Sequence, residues 1–331
     1  HLPAAEAQAA VKAGYAAMAR LAPAVWFKKI DSTLRGHVAV ELVAGLAASG
    51  RTELVVTPAV PSQGRTVVGG EVHVHGVPLG NTVDVHDAIS GTSARPLAEQ
   101  LAAADPSLVC EVVRDEPPRA GRRAWIADAS CDGDLAAIAD WALQRAETAL
   151  LAGAAGLGSA LAGALVPEPL PPRLPGAAAR PILSVLGSRA AAGRRQAAAL
   201  LARGDCEDWL APCGQLDVDK VVAGTGDALL RVTTAETDAQ PEAVAVALGE
   251  SVAAVLERRH FGTLLVTGGD TAASVLAALG IHRVVVLGEV APSVPLSRLL
   301  YRGRQLCLVT KAGAFGEGDL FASLPGLLCA S

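Results

Sequence analysis

The sequence predicts an α/β protein of two domains with mostly parallel strands, and three observations predict it. Short apolar, β-branched runs alternate with Ala/Leu-rich stretches of helical period, as βαβ units require. The chain has 331 residues, which at roughly 150 residues per domain is about two domains. Midway, prolines at 167, 169, 171, 172, 175 and 181 break the pattern, the composition of a linker. Domains at 1–165 and 181–331 result, with 166–180 between them.

Each element has its own signal. Ala4–Leu21 reads as a helix, Val25–Ile30 as a strand ending at Asp31, and His37–Ala48 as a helix. Leu54–Pro58 is a strand that runs into a Pro/Gly loop, and Glu71–Val77 alternates like a hairpin arm. Ala124–Ala129 reads as a strand and Asp134–Leu150 as a helix, with Asp132 or Gly133 near its cap. Ala146–Val166, the longest apolar run, contains Glu147, Thr148 and many Ala and Gly. It reads as a buried helix with a glycine turn rather than a membrane span. In the second half, Ile182–Leu186, Thr263–Thr267, Arg283–Leu287 and Gln305–Thr310 read as strands. Ala190–Arg203, Pro241–Arg259 and Thr271–Leu279 read as helices, and no internal repeat is present.

Composition removes several function classes. Lys plus Arg total 28 against 33 Asp plus Glu, a net charge of −5, so the chain lacks the basic excess of a sequence-independent nucleic-acid binder. Apolar residues make up 51% and charged residues 18%, which argues against disorder. Six cysteines contain no Cys-x-x-Cys and read as reduced thiols of a cytoplasmic protein. The first residue is His1, and no signal peptide is visible after it. The natural start is expected to lie upstream.

In α/β sheets, ligands lie beyond the carboxyl ends of strands, so the segments after the strands carry the candidates. Lys28-Lys29-Ile30-Asp31-Ser32-Thr33-Leu34-Arg35-Gly36 joins two ammonium groups, a carboxylate, two hydroxyls and a guanidinium. That set suits a small hydroxy acid: Arg forks a carboxylate, Lys supplies a point charge, and Asp accepts from sugar hydroxyls. The same run also reads as a surface charge cluster with Ser32 or Thr33 capping the next helix. Gly64-Arg65-Thr66 adds a second Arg on the next strand's loop. Glu71, His73 and His75 share one strand face, with Asp84, His86 and Asp87 after them. They read either as metal ligands of unknown metal or as a solvated hairpin face.

The second half has no Gly-Lys-Ser/Thr, hence no Walker A loop. Three glycine turns instead offer amide groups to an anion: Gly187-Ser188, Gly268-Gly269-Asp270-Thr271 with Asp270 or Thr271 as cap, and Gly313–Gly318 after Lys311. Lys311 reads as a phosphate-neutralising cation or as an ordinary strand-end lysine.

At these residues the sequence resembles the four-carbon acid sugar kinase family, in order and over nearly the whole chain. The likeness rests on the Lys-x-Asp-Ser-Thr-Leu-Arg-Gly run, on Pro58–Thr66, Gly76–Leu79, Gly153–Gly156 and Gly187-Ser188, and on Gly268–Thr271, Gly288-Glu289, Pro292–Pro295 and Lys311–Gly316. It implies two Rossmann-like domains, an acid-sugar domain and a nucleotide domain, with an interdomain cleft. It also implies ATP-dependent phosphorylation of the 4-hydroxyl of erythronate, threonate or 3-oxo-tetronate, with Mg²⁺ bridging the phosphates. By this resemblance Lys28, Lys29, Asp31, Ser32, Arg35 and Arg65 serve the sugar acid. Asp31 is the expected proton acceptor, and Lys311 or a sugar-site lysine, Lys29, the cation that offsets developing charge. Ser188, Gly268, Gly269, Asp270, Thr271, Lys311 and Gly313 would hold ATP. The family's opening Asp-Asp-x-Thr-Gly segment would, by this resemblance, be expected upstream of His1. His37 stands where the family has Asn, Ser293 and Ala314 where it has Gly, and Arg189–Gln196 is Arg/Ala-rich where hydroxylated residues are common. A family member that binds ATP and sugar acid without turnover is therefore the alternative, and an NAD-dependent dehydrogenase a more distant one. The expected partner is a small sugar acid, with no nucleic acid and no membrane, and with a homodimer as an open option.

Overall fold

The computed structural model of the chain describes residues 2–82, 95–113, 123–166, 168, 180–187, 191–221, 223–233, 240–312 and 319–329. Two compact units divide it, His1–Pro169 and Leu170–Ser331. Nearly all of the expected linker, 166–180, lies outside the described residues.

The first unit runs α1 (Ala4–Ala19), β1 (Phe27–Lys29), α2 (Val38–Ser49), β2 (Glu53–Thr57), β3 (Arg65–Val68), β4 (Glu71–Val74), β5 (Val77–Pro78), α3 (Leu97–Ala104), β6 (Val109–Val113), β7 (Arg123–Ala127), α4 (Asp132–Gln144), β8 (Ala149–Gly153) and α5 (Ala155–Leu165). Its main sheet has the order β1-β8-β2-β7-β6, and every pairing is parallel. A parallel strand covered by helices on both faces reads as a near-continuous apolar run. Every residue of β2 and of β8 is buried, and the one charge among them, Glu53, is paired with Arg145 at 2.9 Å. Trp125, Leu54, Leu150, Leu42 and Leu46 belong to the resulting core. A small antiparallel sheet, β3-β4-β5, hangs off the loop after β2.

The second unit runs β9 (Ile182–Leu186), α6 (Ala191–Leu201), β10 (Cys206–Pro212), β11 (Asp227–Thr233), α7 (Pro241–Arg258), β12 (Thr263–Thr267), α8 (Gly269–Ala278), β13 (Val285–Ala291), β14 (Val294–Tyr301), β15 (Arg304–Lys311) and α9 (Leu320–Cys329). Its sheet has the order β10-β11-β9-β12-β15-β14-β13. The first five strands are parallel, and β14 and β13 add an antiparallel edge. Alternation along β12 divides two cores. Leu264 and Val266 pack with Leu248, Val252 and Val255 of α7 and Val275 of α8. Leu265 packs on the other face with Leu200 of α6 and Phe321, Leu324 and Leu328 of α9.

The α/β class with mostly parallel strands is therefore as expected, while several local expectations are corrected. Residues 146–166 form a strand and a helix, β8 and α5, not one helix with a glycine turn, and α4 ends at Gln144. Strand β13 starts at Val285, two residues beyond the expected Arg283, and continues to Ala291. The N-cap position of α2 is occupied by His37 rather than by Ser32 or Thr33, that of α4 by Cys131, and that of α8 by Gly268 rather than by Asp270 or Thr271. Among the described residues no helix is long and apolar enough to cross a membrane. Cys110, Cys131, Cys206, Cys213 and Cys307 are free thiols.

Candidate functional site

In the first unit, β1 delivers the charged run to the carboxyl edge of the sheet. Ile30 is buried, and its amide donates to the Gly153 carbonyl at the end of β8 at 2.9 Å. Asp31 then organises the turn. Its Oδ1 accepts from the Thr33 amide at 2.9 Å and the Thr33 hydroxyl at 2.7 Å, and its Oδ2 accepts from Arg35 Nη2 at 2.7 Å. Leu34 is buried at φ +58°, and Gly36 lies two residues on at φ +86°. A leucine in the left-handed region is strained, and the Asp31 bonds on either side hold it there. Burial alone would raise the Asp31 carboxyl, but bonds from Arg35 and Thr33 outweigh it and hold its pKa at about 2. Lys29 Nζ donates to the Ile30 carbonyl at 2.7 Å. Burial pulls its pKa down, partly opposed by Asp31. Lys28 Nζ is taken up by Glu41 of α2 at 2.7 Å. Ser32 is half-buried in the same turn.

Arg65 reaches the same sheet edge by another route. In the strand order only β8 separates β1 from β2, and Arg65 opens the hairpin after β2. Its backbone pairs with Val60, carbonyl accepting at 2.8 Å and amide donating at 3.1 Å. Gly64, at φ +70°, leaves no room for a β-carbon against the His75 ring. The far end of the hairpin is clasped by Asp128, just after β7. Its two carboxylate oxygens accept the amides of Gly69 and Gly70 at 2.7 Å each. Asp128 was not legible as a site residue, because its partners lie nearly sixty residues away and are backbone atoms. Among the described residues no three His, Cys, Asp or Glu side chains gather as metal ligands. His73 turns its Nδ1 to the Glu71 carbonyl at 3.1 Å. Asp84, His86 and Asp87 lie outside the described residues.

In the second unit the strand order reverses at β9: the chain leaves β9 for β10 on one side and crosses from β11 to β12 on the other. Such a switch point is where α/β sheets bind ligands. Two of the predicted glycine turns meet there. Gly187, after β9, has room only for hydrogen, because a β-carbon would overlap the Thr271 hydroxyl at the start of α8. Gly268, at φ +99°, ends β12, and its amide donates to the Lys311 carbonyl at 2.9 Å. Helix α8 begins with no side-chain cap, so its first amides and its positive dipole end remain for an anion. The space above Gly269 is open, and Asp270 is exposed beside it. Lys311 ends β15, is 3% exposed and lies 5.7 Å from the Phe321 ring centre. Burial lowers its pKa to about 8. Ser188 and Gly313 lie outside the described residues.

These features define a class: a protein of two α/β units in which the strand ends of each carry cationic side chains and hydrogen-bond donors. The family models divide the chain in the same way. Residues 1–161 match the sugar-binding N-terminal domain and residues 183–321 the nucleotide-binding C-terminal domain. The D-threonate kinase of Salmonella typhimurium is 30% identical over 360 residues, covering 96% of this chain and 84% of that protein. The 3-oxo-tetronate kinase of Methylobacterium radiotolerans is 30% identical over 346 residues, covering 92% and 81%. The fold matches a Haemophilus influenzae protein of known structure with a TM-score of 0.69 at 19% identity, over 99% of this chain and 87% of that one. The chain belongs to the four-carbon acid sugar kinase family.

Proposed function

We propose that the chain transfers the γ-phosphoryl of ATP to the 4-hydroxyl of a four-carbon sugar acid of the threonate, erythronate or 3-oxo-tetronate type. Family membership supports the reaction class. The observation that carries the nucleotide half is the meeting of Gly187 with Thr271 at the switch point, where an uncapped helix and Lys311 stand ready for phosphate. Gly269, Asp270 and Thr271 supply backbone amides in this reading, Gly268, whose own amide is held by the Lys311 carbonyl, supplies the turn that leads into them, and Ser188 and Gly313 are further ATP contacts. We take residues 1–165 as the sugar-acid unit and 181–331 as the nucleotide unit, joined by the Pro-rich 166–180.

In the sugar-acid unit, Arg35 and Arg65 clamp the carboxylate, and Ser32 and Lys29 take the hydroxyls. A carboxyl held at about pKa 2 is a weak proton acceptor. We therefore assign Asp31 to orienting Arg35, in place of the base role expected from the sequence. Lys28, paired to Glu41, serves as an outer charge. Mg²⁺ bound with the triphosphate would supply charge neutralisation to its oxygens, and no residue of the chain is assigned to hold it. The protein's own work is positioning and charge compensation.

The test is ADP release measured across D-threonate, D-erythronate and 3-oxo-tetronate with Mg-ATP. Release that depends on one of these acids supports the reading. Binding of both ligands without release favours the non-catalytic alternative, and failure to bind either overturns the assignment.

A further inference from the structure

We propose that Thr267 is a further ligand-contacting residue of the nucleotide unit, its hydroxyl donating to a phosphate oxygen beside Lys311. The inference rests on the nucleotide reading of this unit and adds a side chain to it. Thr267 is 0% exposed, and its Oγ1 has no hydrogen-bond partner among the described residues. Buried hydroxyls are normally paired, because an unpaired one keeps its desolvation cost with nothing in return.

Three observations identify the partner. The first is position. Thr267 is the last residue of β12, in register with Leu186 at the end of β9 and Lys311 at the end of β15, so it stands at the carboxyl edge beside the switch point. The second is the face. Alternation sets Thr267 with Leu265, and Lys311 with Val309, and both Leu265 and Val309 belong to the core shared with α6 and α9. The hydroxyl and the ammonium are therefore lateral neighbours on one face of adjacent strands. The third is the path of the chain beyond β12, where Gly268 turns directly into the uncapped amino end of α8. A hydroxyl and an ammonium lie side by side on one face, at the end of a strand whose chain continues into the uncapped amides of α8, a helix that packs on the opposite face, and all of these are donors. Their complement is an anion with several oxygens, not an apolar group or a second cation.

The experiment compares wild type, Thr267→Val and Thr267→Ser as the full chain. Calorimetric titration is run with adenylyl imidodiphosphate and, separately, with inorganic tripolyphosphate, and each protein is melted without ligand. Thr267→Val is expected to lose about tenfold in affinity for both ligands and to melt at or above the wild-type temperature, since it removes an unpaired hydroxyl without changing volume. Thr267→Ser is expected to keep wild-type affinity. Unchanged affinity in Thr267→Val, while wild type binds, overturns the proposal and leaves the nucleotide reading standing. Loss for the nucleotide alone, with tripolyphosphate unaffected, places the contact on ribose or base and also overturns it. A lower melting temperature for Thr267→Val shows the hydroxyl to be structural, with the same result. If wild type binds neither ligand, the nucleotide reading falls and this inference falls with it.

Discussion

At the scale of single residues, two perturbed groups make opposite contributions to stability against pH. Asp31 is held at about 2, below its ordinary 3.8. A folded-state carboxyl pKa below the unfolded one contributes stability above the unfolded value, and that contribution is lost as pH falls through 4 toward 2. The size is about 2 kcal/mol, and Asp31→Asn should remove that part of the acid limb in denaturant titrations. Lys311 is held at about 8, below 10.5. Below pH 8 both states are charged and the folded one carries the burial penalty. Stability from this residue therefore rises with pH between 8 and 10.5, by roughly 3 kcal/mol. Lys311→Met should be more stable than wild type at pH 7, lack that alkaline rise, and bind nucleotide more weakly. Arg35 is the residue through which the sugar-acid assignment is tested. Arg35→Ala should raise KM for the acid about ten- to a hundredfold, the worth of a charge-assisted contact, and leave KM for ATP in place. Equal loss for both substrates would contradict the division of labour between the units.

At the scale of elements, the hairpin β3–β4 is a carrier for Arg65, and Asp128 is its clasp. Removing two backbone-to-carboxylate bonds by Asp128→Ala should cost about 2 kcal/mol and raise KM for the sugar acid with kcat nearly unchanged. Asp128→Asn, which keeps one acceptor, should recover part of both. A kcat loss with no change in KM would sever the clasp from Arg65. This scale also shows what the sequence could and could not display. Strands β2, β9 and β12 were legible because β-branched apolar runs end in Pro, Gly or Gly-Gly. Strand β8 was not. Ala149-Leu150-Leu151-Ala152-Gly153 is apolar on every side, and no Gly or Pro separates it from the helix before it, so neither a period of 2 nor one of 3.6 stands out. Strand β10, Cys206–Pro212, hid for the opposite reason, because as a sheet edge it carries Glu207 and Asp208. The charged turn after β1 and the glycine turns of the second unit were legible as chemistry. The strain at Leu34 was not, because a leucine gives no signal of positive φ, and the Gly187–Thr271 approach and the Asp128 clasp were not, because each depends on an atom contributed from elsewhere in the chain.

At the scale of the whole molecule, two compact units each own their core. Scanning calorimetry should therefore resolve two transitions, each answering to its own ligand. An ATP analogue at a hundred times its Kd stabilises the unit that binds it by about 2.7 kcal/mol. It should move one transition only, and a sugar acid the other. A single transition raised by both ligands would show that the units unfold as one.

The place of β8 between β1 and β2 has a further consequence, for the order in which the protein is made. Phe27 finds its lateral partner at Leu151, about 120 residues later in synthesis. At ribosomal speeds of roughly 5–20 residues per second, β1 waits on the order of ten seconds for β8. Helices α1 and α2 are local and form early, but the Asp31 turn gains its Gly153 anchor only when the last strand of its sheet slides in. The Asp31 turn is thus synthesised well before the strand that shapes it.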